Sequence, residues 1–138
     1  MPAPKSNSPS RRLWLIFGWL LVLLVIYFSL TPVSLEVMVE PVFKLTPHRG
    51  YVVRKLGHVI AYAALMFWFG NLYETLAKRW IIAIGLIASG IALEFVQGWT
   101  GYRLFRIADM AINAAGVAAG WALASPPMRN YLRKFFSR

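Results

Sequence analysis

The sequence predicts an all-α membrane protein, a bundle of four transmembrane helices, on three observations. Apolar residues make up 59% of the 138 and charged residues 14%, against ~45–50% and ~25% in ordinary globular chains. A body this small cannot hide so much apolar surface, so lipid is its natural solvent. The apolar residues also fall into four runs, each at or just under the ~20 residues that cross a hydrocarbon core. Backbone N–H and C=O groups in lipid must be satisfied within the segment, which makes the runs helices rather than strands. A soluble enzyme, a disordered tail and a disulfide scaffold are excluded.

The first run, Leu13–Leu30, has no charge and follows the basic residues Lys5, Arg11 and Arg12. It is too long for a signal peptide and lacks a small-x-small cleavage site, so a retained span is expected. The second, Leu56–Tyr73, holds His58 and Asn71 as its strongly polar members; the third, Trp80–Gln97, carries Glu94 and Gln97 near its end. The fourth, Ile107–Leu123, carries Asp109 and Asn113 near its start. Between the first two runs, Val33, Leu35, Val37 and Val39 alternate with Ser34, Glu36, Met38 and Glu40. That is the pattern of an extended amphipathic stretch, placed along the membrane interface. Residues 74–79 and 98–106 are expected as tight turns. From Pro126, Arg129, Arg133, Lys134 and Arg138 mix with Tyr131, Phe135 and Phe136, as in a membrane-surface segment. The organisation is a basic cytoplasmic N-terminus over 1–12, a four-helix membrane domain over 13–123 and a basic cytoplasmic tail over 124–138.

Four spans place both termini on one side. Nine of the fifteen lysines and arginines lie in the N-terminus, the 74–79 turn and the tail. Six lie in the long loop through Lys55 and in the 98–106 turn. The positive-inside rule therefore puts both termini in the cytoplasm. The net charge of +10 is explained by this topology, and nucleic acid is not an expected partner. Zero cysteines remove thiol chemistry and thiolate metal sites. No His-Glu-x-x-His, phosphate-loop or nucleophile-elbow motif occurs, so neither a metal nor a cofactor is expected.

On this topology the intramembrane polar residues, Asn71 excepted, gather in one leaflet. At ~100° per residue, Lys55, His58 and Tyr62 share about 60° of arc on the second helix. Glu94 and Gln97 share a stripe with Gly90 on the third, as do Asp109, Asn113, Gly116 and Gly120 on the fourth. Taken singly, each has a bland explanation. Lysines snorkel at span ends, Tyr62 fills an interface, Asp109 suits a helix N-terminus and Asn113 glues helices. Glu94 is hardest to dismiss, because an acid inside a span costs about 3 kcal/mol. Together the stripes imply one polar pocket open to the outer surface. Lys55 at a helix N-terminus and Glu94 near a helix C-terminus each oppose the local dipole, so the two are expected to pair. The Gly116-x-x-x-Gly120 face, flanked by Ala111, Ala115 and Ala119, is expected to pack on another helix.

The blocks Lys55-x-x-His58-x-x-x-Tyr62, Glu94-x-x-Gln97 and Arg103-x5-Asp109-x3-Asn113-x2-Gly116-x3-Gly120 resemble the VanZ-like family of bacterial membrane proteins. The resemblance spans residues 54–120, with Arg54 standing where that family often carries an acid. It implies a multi-pass protein of the bacterial inner membrane with a four-helix domain and a shared set of polar residues. The family takes its name from a protein linked to teicoplanin resistance, and the resemblance supplies no substrate.

Two functional readings follow. In the first, the protein binds an anionic lipid or lipid-linked envelope precursor, the ligand being held by Lys55, Tyr62, Gln97, Arg103 and Asn113. In the second, it is an enzyme acting on a lipid phosphate or lipid-linked sugar. His58 or Glu94 is then the general base, Asp109 a further catalytic candidate, and Lys55 with Arg103 the phosphate clamp. A proton-coupled transporter fits less well, since nothing titratable continues the path beyond Asn71. In intact spheroplasts, an impermeant thiol reagent should label Ser34→Cys and spare Ser137→Cys. The reverse pattern would invert the topology.

Overall fold

The computed structural model describes residues 9–31, 41, 47–73, 75–101, 105–124 and 126. The alternating stretch 33–40, Arg103 and residues 127–138 of the basic tail lie outside these residues. Four long helices follow in chain order: α1 (Pro9–Leu30), α2 (Pro47–Leu72), α3 (Leu76–Trp99) and α4 (Ile107–Leu123). No strand occurs among the described residues. Stretches of α1, α2 and α3 are long and apolar enough to cross a membrane; α4 is apolar but shorter, at 17 residues.

Hydropathy located the helices but placed three starts too late; α1 begins at Pro9, four residues before its apolar run. Helix α2 begins at Pro47, nine residues before its apolar run, because polar residues such as His48, Arg49 and Arg54 interrupt hydropathy without interrupting helix. Proline suits a first helical position, where its fixed φ is helical and its missing N–H is not needed. Helix α3 begins at Leu76 after an extended N-cap, Thr75. Lys78 and Arg79, expected in the 74–79 turn, therefore belong to a helix. The α3–α4 connection turns at Gly101, whose φ of 76° is the left-handed region that glycine enters without a side-chain clash.

The α2–α4 interface is the most extensive in the molecule; α3 packs on both helices, and α1 touches α2 and α3 from the periphery. Lipid tails are as apolar as leucine, so helices in a membrane associate through close packing rather than hydrophobic exclusion. Glycines on α4 permit it. A Cβ on Gly116 would lie 2.6 Å from the Val59 carbonyl oxygen, and one on Gly120 would overlap the Ala63 carbonyl. The expected small-residue contact is thus made, and its partner is α2. Tyr62, Met66, Ala83 and Val117 form the core, flanked by Ile82, Leu86, Ile87 and Trp121. Leu13, Ile16, Leu20 and Leu23 on α1, with Ile81 and Ile84 on α3, point outward, as lipid-facing residues do.

Gly120→Leu should cost about 3 kcal/mol by forcing α2 and α4 apart. Gly85, which has nothing within 4 Å of a built Cβ, provides the control. Gly85→Leu should hold or raise stability by up to about 1 kcal/mol, the helix-propensity gain. Thermal unfolding in detergent compares the two, and an unchanged midpoint for Gly120→Leu would contradict the packing.

Candidate functional site

The close approach of α2 and α4 sets their polar stripes face to face. Lys55 on α2 forms an ion pair with Asp109 in the first turn of α4, and the two side chains are only 11% and 7% exposed. One turn deeper, His58 Nδ1 lies 2.9 Å from Asn113 Oδ1. With that oxygen accepting, Nδ1 carries the proton and Nε2 is the basic nitrogen of the neutral ring. One turn deeper again, the Tyr62 hydroxyl and the Asn113 amide nitrogen both lie 3.1 Å from where a Cβ of Gly90 would stand. Gly90 therefore lets α3 close the third side of the cluster.

Glu94, on the same face of α3, is 1% exposed. Its Oε1 accepts the backbone N–H of Arg106, the N-cap of α4, at 2.7 Å. Its Oε2 has no hydrogen-bond partner among the described residues. The expected Lys55–Glu94 pair is not what the structure contains. The reasons are the true start of α2, which places Lys55 two turns inside the helix and away from its dipole end, and the nearness of Asp109. Glu94 instead serves an N–H that the helix cannot satisfy itself. Gln97 does the converse, donating from Nε2 to the Ser29 carbonyl at 2.9 Å. Ser29 is in the last turn of α1, where carbonyls lack intrahelical partners.

A family model described as VanZ/LLP1 matches residues 14–129. The chain belongs to the VanZ/LLP1 family. No curated protein and no solved structure matches it. Of the residues that suggested this family, the structure gathers Lys55, His58, Tyr62, Glu94, Asp109 and Asn113 around the α2–α3–α4 junction. Gln97 stands at the α1–α3 contact, and Arg103 lies outside the described residues.

Three features of this VanZ/LLP1 protein escaped the sequence reading. Tyr51 collects cations: Lys55 Nζ, the Arg54 guanidinium and the Arg106 guanidinium lie 5.1, 5.6 and 5.7 Å from its ring centroid. The i, i+3, i+4 spacing of Tyr51, Arg54 and Lys55 would have signalled a shared face had α2 been started at Pro47. At the other end of the bundle, Arg79 is buried and donates from Nη2 to the Trp121 and Ala124 carbonyls at 3.2 and 2.9 Å. Its guanidinium carbon sits 4.6 Å from the Trp121 ring centroid. A cation there complements the negative end of α4. The third feature is a cavity of about 270 Å³ between α1 and α2, with His58 and Tyr62 in its wall. Among the described residues no three His, Asp or Glu side chains converge as a metal site would require.

The revised pairing is testable by a double-mutant cycle. Lys55→Met or Asp109→Asn alone should cost about 3 kcal/mol by stranding a buried charge. The double variant should recover at least about 1 kcal/mol of the summed loss. The cycle with Glu94→Gln should show less coupling to Lys55→Met, and thermal unfolding in detergent measures both. Additive losses for Lys55 and Asp109 would contradict the ion pair.

Proposed function

We propose that this membrane protein of the VanZ/LLP1 family binds the anionic head of a lipid or lipid-linked envelope precursor. The site is the mouth where α2 and α4 begin, on the outer leaflet of a bacterial inner membrane, with both termini cytoplasmic. The observation that carries this reading is the convergence of Arg54, Lys55 and Arg106 on Tyr51. Glu94 and Asp109 are the only carboxylates among the described residues. Asp109 pairs with Lys55, and Glu94 is engaged with the Arg106 N–H. The positive end of the α4 dipole adds to the field. An anion at this mouth would meet arginine forks, which suit phosphate. Sequestering an envelope lipid in this way is a route to altered susceptibility to teicoplanin-like glycopeptides.

A second reading has one observation in its favour. His58 stands between the Asn113 contact and the α1–α2 cavity, its Nδ1 proton fixed by Asn113. That arrangement suits a general base acting on a lipid phosphate. Under this reading, lipid extracts from cells with and without the protein differ in product, and His58→Gln abolishes the difference.

Each basic residue beside an anionic surface contributes about 1 kcal/mol. Arg54→Gln with Arg106→Gln should therefore weaken binding of phosphatidylglycerol about 30-fold. Phosphatidylcholine binding should stay unchanged. Native mass spectrometry of the detergent-solubilised chain titrated with each lipid measures the difference, and equal loss for both lipids would contradict the reading.

A further inference from the structure

Helix α2 uses small residues in opposite ways on its two sides. Toward α4 the backbones touch. Toward α1 the helices are clamped at one level, α1 is tied to α3 at a second, and between the two levels α1 and α2 stand apart. The lower clamp is aromatic. A Cβ on Gly18 would meet Trp68 and Phe69 at 2.9 Å, Trp68 Nε1 donates to the Trp14 carbonyl at 3.0 Å, and the Trp14 and Trp68 rings are 4.0 Å apart. The upper tie runs from α1 to α3, the Gln97–Ser29 hydrogen bond. Between these levels Leu21, Leu24, Val25 and Phe28 face Ala61 and Leu65, leaving the cavity of about 270 Å³. That is just below the ~300 Å³ at which small-molecule pockets begin.

The walls are apolar except at one end, where Ser29, Arg54 and His58 join them. Arg54 links that end to the cations around Tyr51. Leu24 in its wall is exposed, which gives the cavity an opening on the lipid-facing side of α1. A narrow apolar slot in the hydrocarbon region, ending at a cationic mouth, matches a molecule with one hydrocarbon chain lying beneath an anionic group. An unfilled slot would forfeit the dispersion contacts of its lining.

We propose that the α1–α2 slot seats one hydrocarbon chain of an anionic lipid that enters laterally from the bilayer, its head held by Arg54 and the neighbouring cations. The proposal rests on the headgroup reading above and extends it. The ligand is selected by chain as well as charge, and a water-soluble anion is not an adequate substitute.

The test uses the full chain in phosphatidylcholine vesicles carrying a trace of phosphatidic acid with a photoactivatable diazirine in one acyl chain. Adducts are mapped by peptide mass spectrometry. Residues 21–28 and 61–65 should be labelled at least fivefold more densely than the lipid-exposed Ile81 and Ile84 of α3. Unlabelled phosphatidic acid should compete, whereas phosphatidylcholine and inorganic phosphate should not. Ala61→Phe, which fills the slot, should cut this labelling at least fivefold. Leu24→Trp narrows the slot from an exposed position and gives the same readout should Ala61→Phe fail to fold. Even labelling of α1 and α3 overturns the slot; retained preference for phosphatidylglycerol would then leave the headgroup reading standing. Dense slot labelling by a diazirine phosphatidylcholine as well overturns the link between chain and charge, and the headgroup reading falls with it. Competition by inorganic phosphate alone overturns the lipid requirement.

Discussion

Where Gly116 and Gly120 lack side chains, α4 rests directly on the backbone of α2, and the polar chemistry of the protein depends on that contact. Its register sets Asp109 opposite Lys55 and Asn113 opposite His58. Close packing and polar pairing reinforce each other here. The short interhelical distance lets short side chains such as Asp and Asn reach across, and the pairs fix the rotation that keeps the glycines facing α2. In lipid, where helices gain nothing from hydrophobic exclusion, packing and hydrogen bonding are the forces available for assembly.

A second constraint explains most of the remaining buried polar groups. Every helix end has N–H or C=O groups without intrahelical partners, and in hydrocarbon water is absent to satisfy them. Glu94 accepts the N-cap N–H of α4, Gln97 donates to a terminal carbonyl of α1, and Arg79 donates to two carbonyls at the end of α4. Each helper comes from α3. This helix therefore links the ends of its neighbours, and its polar residues stabilise the bundle. Glu94 Oε2, the half of that carboxylate not engaged in capping, is buried with no hydrogen-bond partner among the described residues.

Helix number, class and the membership of each polar stripe were legible in the sequence, because a period of 3.6 residues assigns side chains to faces without reference to neighbours. The partner of each face was not legible. Dipole reasoning pairs Lys55 with Glu94, yet that pairing depends on where α2 begins, and hydropathy places the start at the first apolar residue instead of Pro47. The same error hid Tyr51 and assigned Arg79 to a turn. Polar and cationic residues at helix ends are invisible to an apolar count, and in this protein they are the residues that bind the ends together. The α1–α2 slot had no sequence signature, since Ala61 reads equally as a contact or as a gap.

Helix α4 is shorter than its neighbours. Its 17 residues rise about 26 Å, less than the ~30 Å of hydrocarbon they would have to cross. The 22, 26 and 24 residues of α1, α2 and α3 rise about 33–39 Å. A span this short is accommodated by local thinning of the bilayer, since tilting would shorten its reach further. Bilayer thickness is therefore coupled to the geometry of the polar mouth. Shorter-chain lipids would relax that mismatch and thicker, stiffer membranes would load it. The protein would thereby respond to the bulk physical state of the membrane around it.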